Sequence, residues 1–306
     1  MRSFNKKTIG RKNDLIFYSI LLIWPILQFC VFYIYVNFNS FLLAFKNIRL
    51  VDGEYIVKPS VKAFQDLWEL LSTEQMKNTA LLSVLTWALN MVTMIPLGLL
   101  FSFYIAKKHA GASFFRIMLF LPSILSSVVM VTIYRYFINN ALPKMLEDFF
   151  GMENVAPFLS RPPEVKYLMI FIYNMLVGFG VSVLMYANAM SAIPPEITEA
   201  AMLDGATGIK EFFYVSLPMV FSTLSVFIVT GVAGIFTNQF NLFSFFAGES
   251  PFATFGYYLY KETVKWQDDM SHYPLLSALG LAMTLVAVPL TYAVKGALEK
   301  FGPKED

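Results

Sequence analysis

Few side chains in this sequence could carry out covalent chemistry. The two histidines, His109 and His272, are isolated, and the single cysteine, Cys30, lies in an apolar run. Neither a metal cluster nor an internal disulfide follows from them. No G-x-x-x-x-G-K-[ST] phosphate loop is present, so this chain has no nucleotide-cradling motif of that kind. What stands out is a set of neutral amides inside apolar stretches: Gln28, Asn90, Asn174, Asn188, Asn238, Gln239 and Asn241. An amide both donates and accepts hydrogen bonds, which suits a polyol or sugar-like solute. Nearby rings at Tyr173, Phe179, Phe236 and Phe240 could stack on apolar sugar faces. The competing use of such amides is hydrogen bonding between helices, worth about 0.6–2 kcal/mol each. Asn174 and the Thr237–Asn241 run, with Gly178 beside them, are the expected substrate path. Gly178/Gly180 and Gly231/Gly234 also suit close helix packing.

The elements that must hold these groups are set by composition. Of 306 residues, 57% are hydrophobic and 14% charged, with 31 Phe, 16 Tyr and 16 Met. Mean hydropathy is +0.58. Soluble domains carry about 25% charged residues, so this is a polytopic membrane protein. A net charge of +2 offers no basic field to nucleic acid. Crossing a bilayer core of about 30 Å takes roughly 20 apolar residues per helix. Six stretches meet that length: Leu15–Val36, Thr79–Ile105, Ile117–Ile138, Leu168–Ala192, Leu217–Leu242 and Leu275–Val294. Their apolar runs are continuous rather than alternating, so they read as helices. The fold class expected is all-α, with six transmembrane helices.

Basic residues orient the spans. Arg2, Lys6, Lys7, Arg11 and Lys12 crowd residues 1–14, and Lys107, Lys108 and Arg116 the loop 106–116. Lys210, Lys295, Lys300 and Lys304 fall on the same face. Both termini are therefore expected in the cytoplasm, with the loops Asn37–Asn78, Asn139–Tyr167 and Phe243–Pro274 outside. Apart from Arg135, the six stretches contain no Asp, Glu, Lys, Arg or His; Arg135 sits near the outer end of the third, where it can snorkel. Ion-coupled carriers usually need buried ionisable groups, so their scarcity disfavours that class.

One cytoplasmic segment, IPPEITEAAMLDGATGIKEFFYVSLP over residues 193–218, differs from the other loops. Pro194 and Pro195 suit a helix start, and Glu196 and Glu199 lie where the helix dipole favours negative charge. Asp204-Gly205 reads as a stop with a left-handed cap. Thr207 then caps a second short helix carrying Phe212 and Phe213, and Leu217-Pro218 ends it and opens the fifth span. Two short helices at an angle form a knob on which another protein could dock, or an ordinary loop laid on the membrane.

The spacing Glu199-Ala200-Ala201, three residues, Gly205, nine residues, Val215-Ser216-Leu217-Pro218 resembles the EAA loop of binding-protein-dependent ABC importer permeases, with Val215 where Ile is usual. EAAMLDGA followed by FFYVSLP is most similar to the carbohydrate-uptake branch, the maltose and glycerol-phosphate type. Phe114-Phe115-Arg116 with LFLPSILSSVV resembles the same branch's third span, and Asn78-Thr79-Ala80-Leu81 the asparagine-threonine opening of its second. The resemblance covers roughly residues 75–300 and implies a type I importer permease. It implies that Glu199, Ala200, Ala201, Asp204, Gly205 and Pro218 dock an ATPase subunit, Glu199 facing a basic group there. It also implies a sister permease, usually a different but related chain, and an extracytoplasmic solute-binding protein.

The expectation is thus a multi-pass permease of a prokaryotic cell membrane, moving a sugar or oligosaccharide by alternating access. It catalyses nothing covalent and holds no cofactor or metal, with ATP and Mg on the partner ATPase. Its organisation would be a cytoplasmic segment 1–14, a first helix and outer loop 15–78, a five-helix core 79–295 containing the coupling loop 193–218, and a tail 296–306. The alternatives are a same-family permease for another polar solute, or an ion-coupled carrier.

Overall fold

The computed structural model describes residues 17–303. Residues 1–14 and Lys304, which entered the orientation argument, lie outside them. The contacts divide the described chain into two compact units, residues 17–70 with 266–282, and residues 71–265 with 283–303.

In the first unit, α1 (Phe17–Leu43) is apolar throughout and none of its spanning window is buried in the protein. It outlasts the expected end at Val36 because the next polar side chains bond back along the helix. Asn37 donates to the Tyr33 carbonyl at 2.6 Å, and Ser40 to that of Val36 at 3.1 Å. A hairpin follows, β1 (Lys46–Val51) antiparallel to β2 (Glu54–Pro59). Asp52 and Gly53 both take positive φ at its turn, as a tight Asp-Gly hairpin requires. This pair is the one sheet among the described residues, and it interrupts an otherwise helical chain. The Tyr55 hydroxyl donates to the Asp268 carbonyl at 3.3 Å and accepts from the Met270 N–H at 3.4 Å. Hydrogen bonds from the backbone and side chain of Ser271 hold the Asp269 carboxyl below the usual carboxylate range, and Trp266 stacks on His272. Phe45 packs on Phe64 at 5.1 Å, seating α2 (Lys62–Ser72) with Ala63 and Leu67 buried.

The second unit is built on α3 (Glu74–Ala106), whose first turn is capped by Thr73 accepting from the Met76 N–H at 3.3 Å. The third stretch is not one straight span. It breaks into α4 (Ala112–Ile124) and α5 (Ser127–Phe150), bent by 106°. Pro122 removes a helical donor, Leu125 goes extended, and Ser126 caps the new helix by accepting from the Val129 N–H at 3.4 Å. Arg135, on α5, is exposed. Next come α6 (Pro163–Ser191), α7 (Pro195–Leu203), α8 (Ile209–Met219) and α9 (Phe221–Ala233). The short α10 (Leu242–Phe246), α11 (Phe255–Lys265) and long α12 (Met270–Phe301) complete the chain.

Among the described residues four unbroken helices are long and apolar enough to span, and two bent pairs bring the number to six if each pair is one span. The molecule is an all-α polytopic membrane fold. Helix α6 is the hub of the second unit. A Cβ at Gly180 would collide with the Leu119 carbonyl of α4, so only glycine permits that approach. On its other side, Ser102 of α3 donates to the carbonyls of Gly98 at 2.5 Å and Val183 at 2.8 Å. The methyl of Met91 on α3 fills the place a Cβ at Gly231 would take on α9.

Candidate functional site: a neutral cleft and an exposed knob

The fifth apolar stretch stops being helical at Ala233. The polar run Thr237–Asn241, expected inside a span, lies instead in an unwound segment ahead of α10. Local chemistry explains the break. Asn238 bonds its own chain, its Oδ1 accepting from the Phe240 N–H at 2.8 Å. Phe240 and Asn241 both adopt left-handed φ of 55°, which Asn tolerates well. The backbone at Thr237 and Asn238 passes so close to Gly256 that any Cβ there would collide. Thr254 fixes the same segment by donating to the Asn238 carbonyl at 2.8 Å. Unwound backbone at membrane depth is tolerated where it is buried or lines a cavity.

Two cavities, of about 310 and 360 Å3, lie along this segment among α3, α6 and α9, and both are lined by Asn90, Met91, Phe227 and Asn238. The first adds Ser83, Thr86, Trp87 and Thr230, and the second Asn174, Gly178, Ser182, Tyr186 and Asn241. Asn174, Gly178, Asn238 and Asn241 therefore come together, whereas Gln239 lines neither cavity. The Asn174 amide also has partners within the chain, tying α6 to the unwound segment rather than to a second helix. It donates to the Ile170 and Phe240 carbonyls at 2.8 and 3.2 Å and accepts from the Asn241 amide at 2.7 Å.

The aromatic residues expected to stack on solute do something else. Tyr173 and Phe240 are 1% exposed and belong to an apolar cluster with Ile170, Leu242, Phe245 and Tyr257. Phe179 packs edge-on to Phe101, and Phe236 to Phe255. The rings that do line the cleft are Trp87, Tyr186 and Phe227, the last two 4.8 Å apart. Sequence reasoning passed over them, although their spacing carried a signal. Asn90 and Met91 lie three and four residues after Trp87, itself four after Ser83, along α3, and Gly178, Ser182 and Tyr186 are four apart along α6, which places each set on one helix face.

The second feature is the knob. Helix α7 has no buried residue, and Ile197, Met202 and Leu203 are exposed, Leu203 to 91%. Glu199, Ala200, Ala201 and Asp204 lie along and just past it. Its end is a Schellman motif. The Ala206 N–H bonds the Ala201 carbonyl at 2.8 Å, and the Gly205 N–H that of Met202 at 3.1 Å. Gly205 supplies the φ of +79° that this needs. The expected cap of the next helix differs. Gly208 occupies the cap position, with φ of 59°, and Thr207 contributes its carbonyl to the Lys210 N–H, not its hydroxyl. Pro218 also lies inside α8, and the 69° bend to α9 comes at Val220. Helix α8 is clamped to the end of α3. Glu211, 2% exposed, pairs with Lys107, and Phe212 packs edge-on to Phe103 at 5.4 Å.

No family model matches the chain. Among curated proteins, it is 28% identical over 274 residues to the arabinooligosaccharides transport permease AraP of Halalkalibacterium halodurans, covering 85% of this chain and 81% of that one. It is 26% identical over 268 residues to the galactooligosaccharides transport permease GanP of Bacillus subtilis, covering 82% and 62%. Against the maltose/maltodextrin permease MalF of Vibrio parahaemolyticus the figures are 24% over 210 residues, 66% and 38%. The chain is thus similar to permease proteins of oligosaccharide and maltodextrin transport systems. It spans less than two thirds of GanP and of that MalF. In fold, the chain matches a crystal structure of a bacterial ABC transporter involved in the import of the acidic polysaccharide alginate. The TM-score is 0.73 at 18% identity, over 97% of this chain and 99% of the other. A second structure of a bacterial alginate ABC transporter, in complex with a pentasaccharide-bound periplasmic protein, gives 0.73 at 19%, over 94% and 96%.

Proposed function

We propose that this chain is one of two membrane subunits of an ATP-driven importer and forms half of the path for a sugar or oligosaccharide. The knob carries the reading: a capped helix with no buried residue, bearing Glu199-Ala200-Ala201 and exposed apolar side chains, with Gly205 at its bend. Exposed apolar groups on an otherwise polar surface mark a protein contact. Small alanines allow close approach, and Glu199 can pair with a partner's Arg. An ATPase subunit would dock there and supply ATP and Mg, and a sister permease would complete the pathway. A solute-binding protein would deliver the sugar from outside, the kind of assembly that the alginate complex's description names for that transporter. Alternating access at the cleft would then move the solute without covalent change.

In this arrangement both termini and the 193–218 loop face the cytoplasm of a prokaryotic cell, and the hairpin segment faces outward. The five-helix core would run over 79–295, between the 15–78 and 296–306 segments. With Cys30→Ser as background, Ser60→Cys is expected to react with an impermeant thiol reagent in intact cells. Protection of that cysteine until the membrane is permeabilised would reverse the orientation.

The direct test is purification of the tagged chain in mild detergent. An importer permease brings down a nucleotide-hydrolysing subunit in fixed ratio. Purification without one, together with uptake driven by an ion gradient, would favour the carrier.

A further inference from the structure

Where α3 ends, α4 begins and α6 ends, a third cavity of about 440 Å3 opens, lined among others by Lys108, His109, Ser113, Arg116, Ile117 and Ser191. It carries two cations and an imidazole, and no carboxylate lines it. The neighbouring Lys107 is committed to Glu211. Lys108, His109 and Arg116 are exposed, and among the described residues they make no ion pair. Like charges held together without a counter-charge repel one another. The loop that holds them is nevertheless tied down. The Tyr104 hydroxyl donates to the Ala110 carbonyl at 2.5 Å, and the Lys108 N–H to the Ile105 carbonyl at 3.0 Å. The Tyr104 ring packs on His109 at 5.1 Å. From the cavity, α4 runs on with an apolar face turned outward. Phe114, Ile117, Met118 and Leu121, spaced three and four apart, are 45–64% exposed. Ile117 belongs to this face and to the cavity wall, so the two are continuous.

We propose that this cavity binds the phosphate of an anionic phospholipid, with Lys108 and Arg116 on the headgroup and the acyl chains along Phe114, Ile117 and Leu121. The Arg116 guanidinium is a planar fork of donors that matches two phosphate oxygens. Lys108 adds a point charge, and His109 and Ser113 offer further donors. Charge selects among lipids, because a zwitterionic headgroup brings its own cation to a site that already holds two. The apolar face selects a lipid over a free phosphate ion, which would use the cations and leave Phe114 and Ile117 without a partner. Basic groups at the ends of membrane helices attract anionic headgroups on the same grounds. The proposal rests on the orientation given above only for the leaflet, the cytoplasmic one, that supplies the lipid. Its place in the fold gives it a use. Lys108 follows Lys107, whose pair with Glu211 joins α3 to α8, so an occupied cavity braces the junction that carries the knob.

The test uses the tagged chain with the subunits that accompany it, delipidated in mild detergent at fixed ionic strength. Its melting temperature is followed as dioctanoyl phosphatidylglycerol, dioctanoyl phosphatidylcholine or inorganic phosphate is added. Phosphatidylglycerol should raise the melting temperature and saturate well below the concentrations at which the other two act. Lys108→Gln combined with Arg116→Gln should shift that saturation to roughly 30-fold higher concentration, since each basic residue beside a headgroup is worth about fivefold. Lys58→Gln combined with Lys144→Gln removes the same charge from exposed positions that do not line the cavity, and should leave the response unchanged. Arg116→Lys keeps the charge and loses the fork, so its response should fall between wild type and the double variant, and it serves alone if the double variant does not fold. Equal responses to the two lipids, or a phosphatidylglycerol response that neither cavity variant weakens, would overturn the proposal. Inorganic phosphate acting at the concentration of phosphatidylglycerol would overturn the lipid in favour of a soluble phosphate. No readout depends on transport, so failure here leaves the importer reading standing, and a chain that purifies without an ATPase subunit would count against that reading and not against the lipid.

Discussion

Complexes carrying Gly205→Val or Glu199→Lys are expected to lose solute uptake while the altered subunit reaches the membrane in normal amounts. Gly205 closes the Schellman motif at φ of +79°, a conformation that costs an L-residue about 1–2 kcal/mol, more for a β-branched one. A Cβ there meets nothing within 4 Å in this chain, so strain and the occupied space outside the knob are the whole effect. The valine would tilt the end of α7 and stand where a docked partner must approach. Glu199→Lys leaves the backbone alone and reverses one exposed charge, turning an attractive contact with a basic partner into a repulsive one. Neither change touches a span, so insertion is spared. The measurements are the amount of ATPase subunit in the purified complex and the ATP hydrolysis stimulated by solute. Normal stoichiometry with normal stimulation in both variants would remove the knob from the coupling path.

The second large effect concerns how the knob is joined to the cleft. Glu211 is buried against Lys107 at the end of α3, the same helix that brings Trp87, Asn90 and Met91 to the cavities. Lys107→Met would leave a buried carboxylate without its countercharge, an imbalance that costs about 3 kcal/mol when one partner of a buried pair is removed. The expected result is a complex that melts earlier and hydrolyses ATP with weakened response to solute. Adding Glu211→Leu to Lys107→Met should recover most of the melting temperature, since replacing both partners is often neutral. A single variant as stable as wild type would show that the pair does not hold α8 to α3.

Much of this architecture was legible in the sequence because membrane helices announce themselves by length and continuous apolarity. The runs behind α3, α6 and α12 each became one long helix. What failed were places where apolar composition continues through non-helical backbone. Leu125 and Ser126 are as compatible with a span as their neighbours, yet Pro122 and a serine cap turn the chain by 106°. Gly234 to Asn241 stays within an apolar stretch, but Asn238 and Asn241 prefer turn conformations; Asn238 bonds the Phe240 N–H locally, and Asn241 donates to the Asn174 side-chain oxygen, a partner that only the tertiary fold provides. The same limit explains the aromatic residues. Tyr173 and Phe240 look identical in sequence to solute-stacking rings, and only the packing of α6 on the unwound segment shows that they are core. Gly205 was readable because its requirement is local. Lys107 and Glu211 were not, since their pairing joins segments far apart in the chain.

The central claim is that solute movement through this chain is driven by ATP hydrolysed on a partner docked at the knob. The most direct measurement is ATP hydrolysis and uptake together, in proteoliposomes holding the complete complex with ATP enclosed. The account predicts that a solute-binding protein loaded with an oligosaccharide stimulates hydrolysis, and that uptake persists when proton and sodium gradients are collapsed. Uptake that ignores ATP and follows an ion gradient would contradict it.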